Sequence, residues 1–162
     1  MKALVYDRKG TKKFELRELE QPVPQQGEVL LRVRACSISA ADYRSLKLGI
    51  SARNGVYGAD VAGTVVSVGE GVNRIAVGDD VMGDLASRDF GGFAEYAVAP
   101  EAILAKKPAQ VSFEAAATIS LSGVTALQAF RLGGGTRPGQ RVLILGAGGG
   151  VGTYAVQLAR YF

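Results

Sequence analysis

The chain has 162 residues, 48% hydrophobic and 21% charged, with 19 Lys and Arg against 15 Asp and Glu for a formal charge of +4; this describes a globular domain with a real core, and the charge is spread too evenly to predict nucleic-acid binding. Zero His and a single Cys exclude an intrachain disulfide, a thiolate/imidazole zinc site and any Ser-His-Asp or Cys-His mechanism. No apolar run approaches the ~20 residues of a membrane span, and Lys2, Asp7, Arg8 and Lys9 interrupt the N-terminus before a signal core can form, so a cytoplasmic protein without membrane partners is expected.

Lys2 to Tyr6 and Phe14 to Leu19 are rich in β-formers and separated by charge and Gly10, which predicts a hairpin that ends before Pro22 and Pro24. Glu28 to Ala35 alternates, with Val29, Leu31, Val33 and Ala35 on one face, and predicts a strand with one buried face. Ser39 to Leu48 has helical spacing, with Gly49 placed to stop it. Val61 to Val68, Asp80 to Met82 and Phe93 to Val98 predict further glycine-punctuated strands, and such short, regularly spaced strands suit a partly open barrel or sandwich.

From Ser112 the pattern changes. Ser112 is a candidate N-cap with Glu114 in the first turn, and Phe113 to Leu132 predicts one long apolar helix, stopped by Gly133, Gly134 and Gly135. After Pro138-Gly139, the run Val142 to Leu145 reads as a strand buried in a parallel sheet. It is followed by glycines at 146, 148, 149, 150 and 152 and an amphipathic helix to Phe162. Strand, tight glycine turn and helix together make a pyrophosphate site. The first helical N–H groups are unpaired, the dipole is positive there, and glycines leave room for the phosphates. In the register ending at Gly152 the dinucleotide pattern reads Ala147, Gly149, Gly152, with Ala at the first position. The alternative is a glycine-rich junction that only packs closely.

These segments resemble the N-terminal half of the medium-chain dehydrogenase/reductase superfamily, in its zinc-independent quinone oxidoreductase-like branch. The resemblance runs in order through Gly58-Ala59-Asp60-Val61-Ala62-Gly63, Val77-Gly78-Asp79-Asp80-Val81, Gly91-Gly92-Phe93-Ala94-Glu95-Tyr96 and Gly123-Val124-Thr125-Ala126. It ends in the most specific piece, Gly139 to Arg160, with its glycine turn. It implies an α+β fold: a GroES-like β-rich catalytic domain over 1–111, then over 112–162 a connecting helix and the first strand and helix of a Rossmann domain. Where zinc-dependent relatives carry a Cys, a His and a second Cys as ligands, this chain has Ser39, Ala59 and Ser122. No zinc is therefore expected. Cys36 is expected as a small core residue, and Asp60, beside the lost His, as a turn carboxylate.

The resemblance implies hydride transfer from NADPH or NADH, with NADPH favoured, to a small quinone, enone or related carbonyl acceptor, and a homodimer. It implies cofactor contacts at Thr125, Ala147, Gly149, Gly150, Val151 and Gly152, and cleft-facing catalytic groups at Tyr43 and Asp42, with Tyr43 donating a hydrogen bond to a substrate oxygen. The residues alone leave alternatives open: a Thr125 hydroxyl bonded back to its own helix, and an Asp42 that caps its helix or pairs with Arg44 or Lys47. The rival function is a non-catalytic GroES-like module for binding or assembly. With one strand and one helix of the second unit present, residues 1–162 are expected to bind cofactor weakly. They are also expected either to self-associate through Val142 to Leu145 or to be disordered from about Gly135 onward.

Overall fold

The computed structural model describes residues 1–162. Lys2–Tyr6 (β1) and Phe14–Glu18 (β2) form the expected antiparallel hairpin, with Lys2 opposite Glu18 and Tyr6 opposite Phe14. The main sheet has five antiparallel strands: Glu28–Cys36 (β3), Asp60–Val68 (β4), Asp80–Asp84 (β5), Tyr96–Pro100 (β6) and Leu104–Lys106 (β7), in the order β6-β3-β4-β5-β7. Val29, Leu31, Val61, Val65, Val81 and Leu85 are fully enclosed in its core. Each such side chain contributes roughly 1.5–3 kcal/mol by leaving water.

Several boundaries differ from the sequence pattern, each for a packing reason. β3 is buried on both faces near its start, because Leu30 is enclosed as well as Val29 and Leu31. Phe93 and Ala94 do not belong to β6: the Leu4 N–H donates to the Phe93 carbonyl and Ala3 bridges Ala94, so this segment joins the hairpin to the sheet. The three-residue β7 is too short to leave a pattern in sequence.

Helix α1 spans Ala40–Lys47, with Ser39 as N-cap and Gly49 at φ +74° just past its end. The long helix expected over Phe113 to Leu132 is two helices, Phe113–Ala116 (α2) and Ser120–Leu132 (α3). The break lets Ala116 and Ala117 pack flat on Ala62 of β4 while the start of α3 turns toward Asp60, whose carboxylate accepts from the Leu121 N–H at 2.6 Å. Gly150–Tyr161 forms the last helix, α4, which packs on α3.

The expected strand at Val142 to Leu145 is not one. The segment pairs with no strand, and Leu143 and Leu145 are 86% and 87% exposed. A strand is defined by its ladder, and no other strand of this chain lies beside it. No helix is long and apolar enough to cross a membrane.

Candidate functional site

A cleft of about 960 Å³ opens between the β-rich body and the glycine turn. One wall comes from the β3–α1 junction (Ser37 to Ala40), from Tyr43 and Arg44 on α1, and from Asp60 at the head of β4. The other comes from Leu121 and Ser122 on α3, and from Gly146, Gly149 to Gly152 and Tyr154. Two smaller cavities, about 280 and 360 Å³, border the N-terminal hairpin and share none of these residues.

The α1 wall is set by a reciprocal cap. The Ser39 hydroxyl accepts from the Ala41 N–H, and Asp42 Oδ2 accepts from the Ser39 N–H at 2.8 Å and from its hydroxyl at 3.1 Å. Such a box satisfies amides that a helix start leaves unpaired. Asp42 Oδ1 reaches further and accepts from the Gly58 and Ala59 N–H groups, both at 3.0 Å. Gly58 sits at φ +99°, and a side chain there would run into the Phe93 backbone, so this corner requires glycine. Asp42 is thus buried and ties α1 to the head of β4, while Tyr43 beside it is 56% exposed and lines the cleft.

On the opposite wall, α4 starts at Gly150 with Gly149 as its N-cap and no side chain capping it, so the amides of its first turn are free to meet an anion. Gly149, Gly150, Val151 and Gly152 all line the cleft. A Cβ on Gly152 would overlap the Gly146 carbonyl oxygen, and one on Gly150 would sit 3.0 Å from Ser122 Oγ. The turn is therefore packed tightly against its own backbone and against α3, and the Gly150, Val151 and Gly152 amides are the groups that would receive the phosphates of a dinucleotide. Ala147 lies outside the lining, and Thr125 donates its hydroxyl to the Leu121 carbonyl at 2.6 Å, bonded back into its own helix.

The three positions matched to metal ligands hold Ser39, Ala59 and Ser122: two hydroxyls, one already engaged as a helix cap, and a methyl. No group of three or more His, Cys, Asp or Glu side chains could hold a metal ion. This donor set does not fit zinc. Cys36 ends β3, partly buried against the core, and burial with the Asp42 and Asp60 charges holds its thiol well above its usual range.

Sequence reasoning undervalued Asp60. It is no turn carboxylate but the first residue of β4, 1% exposed and in the cleft wall. Burial pushes its carboxyl up to about 6, opposed by the Leu121 amide and helped by the Asp84 and Asp42 charges. The available signal was a lone acid within the small, apolar run Gly58 to Gly63. Tyr154 was also missed; its hydroxyl lies 2.9 Å from that of Thr118.

The raised Asp60 carboxyl has a stability consequence. Its unfolded value is near 3.8 and its folded value about 6. Its contribution is complete below pH 4 and is lost as the pH rises to about 6, because the unfolded chain releases the proton first. Two pH units correspond to ~3 kcal/mol. Urea midpoints of the wild type and Asp60→Asn should therefore diverge from pH 4 to pH 7 in favour of the variant; parallel curves would refute the assignment.

Residues 25–109 match the alcohol dehydrogenase GroES-like domain. The chain is 37% identical over 172 residues to the chloroplast envelope quinone oxidoreductase homolog of Arabidopsis thaliana, covering 99% of this chain and 52% of that protein. Among solved structures it resembles an alcohol dehydrogenase superfamily protein from Novosphingobium aromaticivorans (TM-score 0.88, 33% identity, 99% of this chain and 50% of that one). It also resembles the quinone oxidoreductase from Coxiella burnetii (TM-score 0.84, 32% identity, 99% and 53%). The chain spans about half the length of the relatives it matches.

Proposed function

Since the chain belongs to the medium-chain dehydrogenase/reductase superfamily, by its GroES-like domain and its quinone oxidoreductase-like relatives, we propose that it forms the substrate-facing half of a zinc-independent, NAD(P)H-dependent reductase of quinones or enones. The observation that carries this reading is the cleft itself, where Tyr43 and Asp60 face the uncapped start of α4. The reduced nicotinamide, when bound, supplies hydride. The chain supplies the rest. The Gly150, Val151 and Gly152 amides hold the pyrophosphate and the α4 dipole favours its charge. Tyr43 offers a hydroxyl to the acceptor's oxygen.

A quinone or an enone suits a site without a Lewis acid, because its conjugated carbonyl is already electrophilic and needs position more than activation. Ile38, Leu121, Leu145 and Val151 give the cleft apolar walls for such a planar molecule. NADPH is favoured over NADH by the resemblance.

The test is to mix the protein with NADPH or NADH and a panel of quinones and enones, and to follow loss of the reduced-nicotinamide absorbance, with elemental analysis of the same dialysed sample. Oxidation dependent on the acceptor, with zinc far below one per chain, is expected. Stoichiometric zinc, or no acceptor-dependent loss of reduced nicotinamide with any quinone or enone, would sink the reading.

A further inference from the structure

Asp60 is the one carboxyl in the cleft wall; the other ionisable side chains there are the Tyr43 and Tyr154 phenols and the Arg44 guanidinium. It is almost fully buried, yet it lines the open space between the two walls. Oδ1 accepts from the Leu121 N–H at 2.6 Å, which fixes the carboxyl's orientation against the start of α3. The Ser37 hydroxyl lies close enough to the carboxyl to oppose its upward shift, and both residues line the cleft. Acids face it from two further elements: Asp84 lies directly opposite on β5, and Asp42 acts from α1. The Cys36 thiol approaches from β3, itself disfavoured as a thiolate by burial and by the Asp42 and Asp60 charges.

We propose that Asp60 is the proton donor of the cleft, protonating the oxygen of an enone acceptor as hydride arrives at its β-carbon. The inference rests on the reductase reading above. The reduced nicotinamide provides the hydride, whose electron pair forms the new C–H bond. The C=C pair shifts to make an enolate, and the Asp60 carboxyl gives its proton to the enolate oxygen, becoming a carboxylate. Solvent then reprotonates Asp60, and the enol relaxes to the saturated ketone. One enone, one reduced nicotinamide and one proton are consumed. Burial beside two other acids keeps a proton on Asp60 at a pH where an ordinary Asp has lost it, which is what a general acid requires.

Two measurements on the whole protein test this. The Asp60 side-chain carboxyl is followed by carbon NMR across pH, without cofactor. Turnover of an enone and a quinone with NADPH is then compared for the wild type and Asp60→Asn, whose amide oxygen still accepts from Leu121. We expect a midpoint near 6, a matching fall of kcat/KM above it, and loss of that inflection in the variant. Enone reduction in the variant should drop by ~100-fold or more, and quinone reduction by less, since a hydroquinone anion is a weaker base than an enolate. A midpoint in the ordinary Asp range, or turnover in Asp60→Asn with an unchanged profile, overturns the proposal alone. Failure of every acceptor to oxidise NADPH, at concentrations high enough to meet weak binding, overturns the reductase reading, and the proposal with it. If the variant does not fold, the wild-type midpoint and pH profile decide by agreeing or disagreeing.

Discussion

Replacing Asp42 with Ala should destabilise the protein by about 4 kcal/mol, measured as the shift in urea unfolding free energy. The carboxylate accepts from the Ser39, Gly58 and Ala59 N–H groups and from the Ser39 hydroxyl. Each buried donor left without a partner costs roughly 1–3 kcal/mol. Gly58 and Ala59 are enclosed and cannot turn to water, whereas Ser39 is partly exposed and recovers some of its loss. Asp42→Asn keeps one acceptor oxygen and should lose about half as much. Asp42 is in this account a positioning residue that sets the α1 wall and Tyr43 with it, so activity in its variants should fall with the folded fraction. A loss below about 1 kcal/mol for Asp42→Ala would mean that the loop at Gly58 is held by something else.

The second large effect is expected at Gly152. In an ordinary helix Gly→Ala stabilises by ~1 kcal/mol. Here the new Cβ would overlap the Gly146 carbonyl oxygen and sit 2.7 Å from the Ala147 Cα, both backbone atoms that cannot swing aside. Overpacking of this kind costs ~1–3 kcal/mol, enough to reverse the sign and push the glycine turn off the start of α4. Gly152→Ala should therefore lower thermal stability and weaken NADPH binding by about tenfold or more, which corresponds to ~1.4 kcal/mol. Gly148→Ala, with open space at its Cβ, should stay within ~0.5 kcal/mol of the wild type. Equal behaviour of the two variants would remove the case for a tight turn at this position.

Features set by neighbours in sequence were legible. The Ser39 cap and Gly49 stop bracket α1 within a dozen residues, and the N-terminal hairpin is marked by its own charges and Gly10. The turn from Gly146 to Gly152 is legible in part because Gly149 and Gly152 close on the Gly146 carbonyl only a few residues away, whereas the Gly150 contact, with Ser122 on α3, lies far off in sequence. What escaped depends on distant partners. Nothing between Phe113 and Leu132 signals a break at Ala117; the Asp60 carboxylate, about sixty residues earlier, receives Leu121 and redirects the helix. Phe93 has strand composition but serves β1. The Val142 to Leu145 run shows the reverse case, since β-forming composition makes no strand without a neighbour to pair with.

The strand order also fixes when this sheet can close during synthesis. β6 and β7, the last two strands in sequence, occupy its two opposite edges, β6 against β3 and β7 against β5. Glu28 finds its partner Pro100 only after most of the β-rich body has left the ribosome. Translation at ~5–20 residues per second leaves both outer edges bare for on the order of a second after β5 emerges. In that interval a second nascent chain could add to either edge. Arg32 and Arg34 on β3, and Asp80 and Asp84 on β5, set like charges against like when two β3 edges or two β5 edges meet, so the encounter this chain leaves open is that of one copy's β3 edge with another's β5 edge.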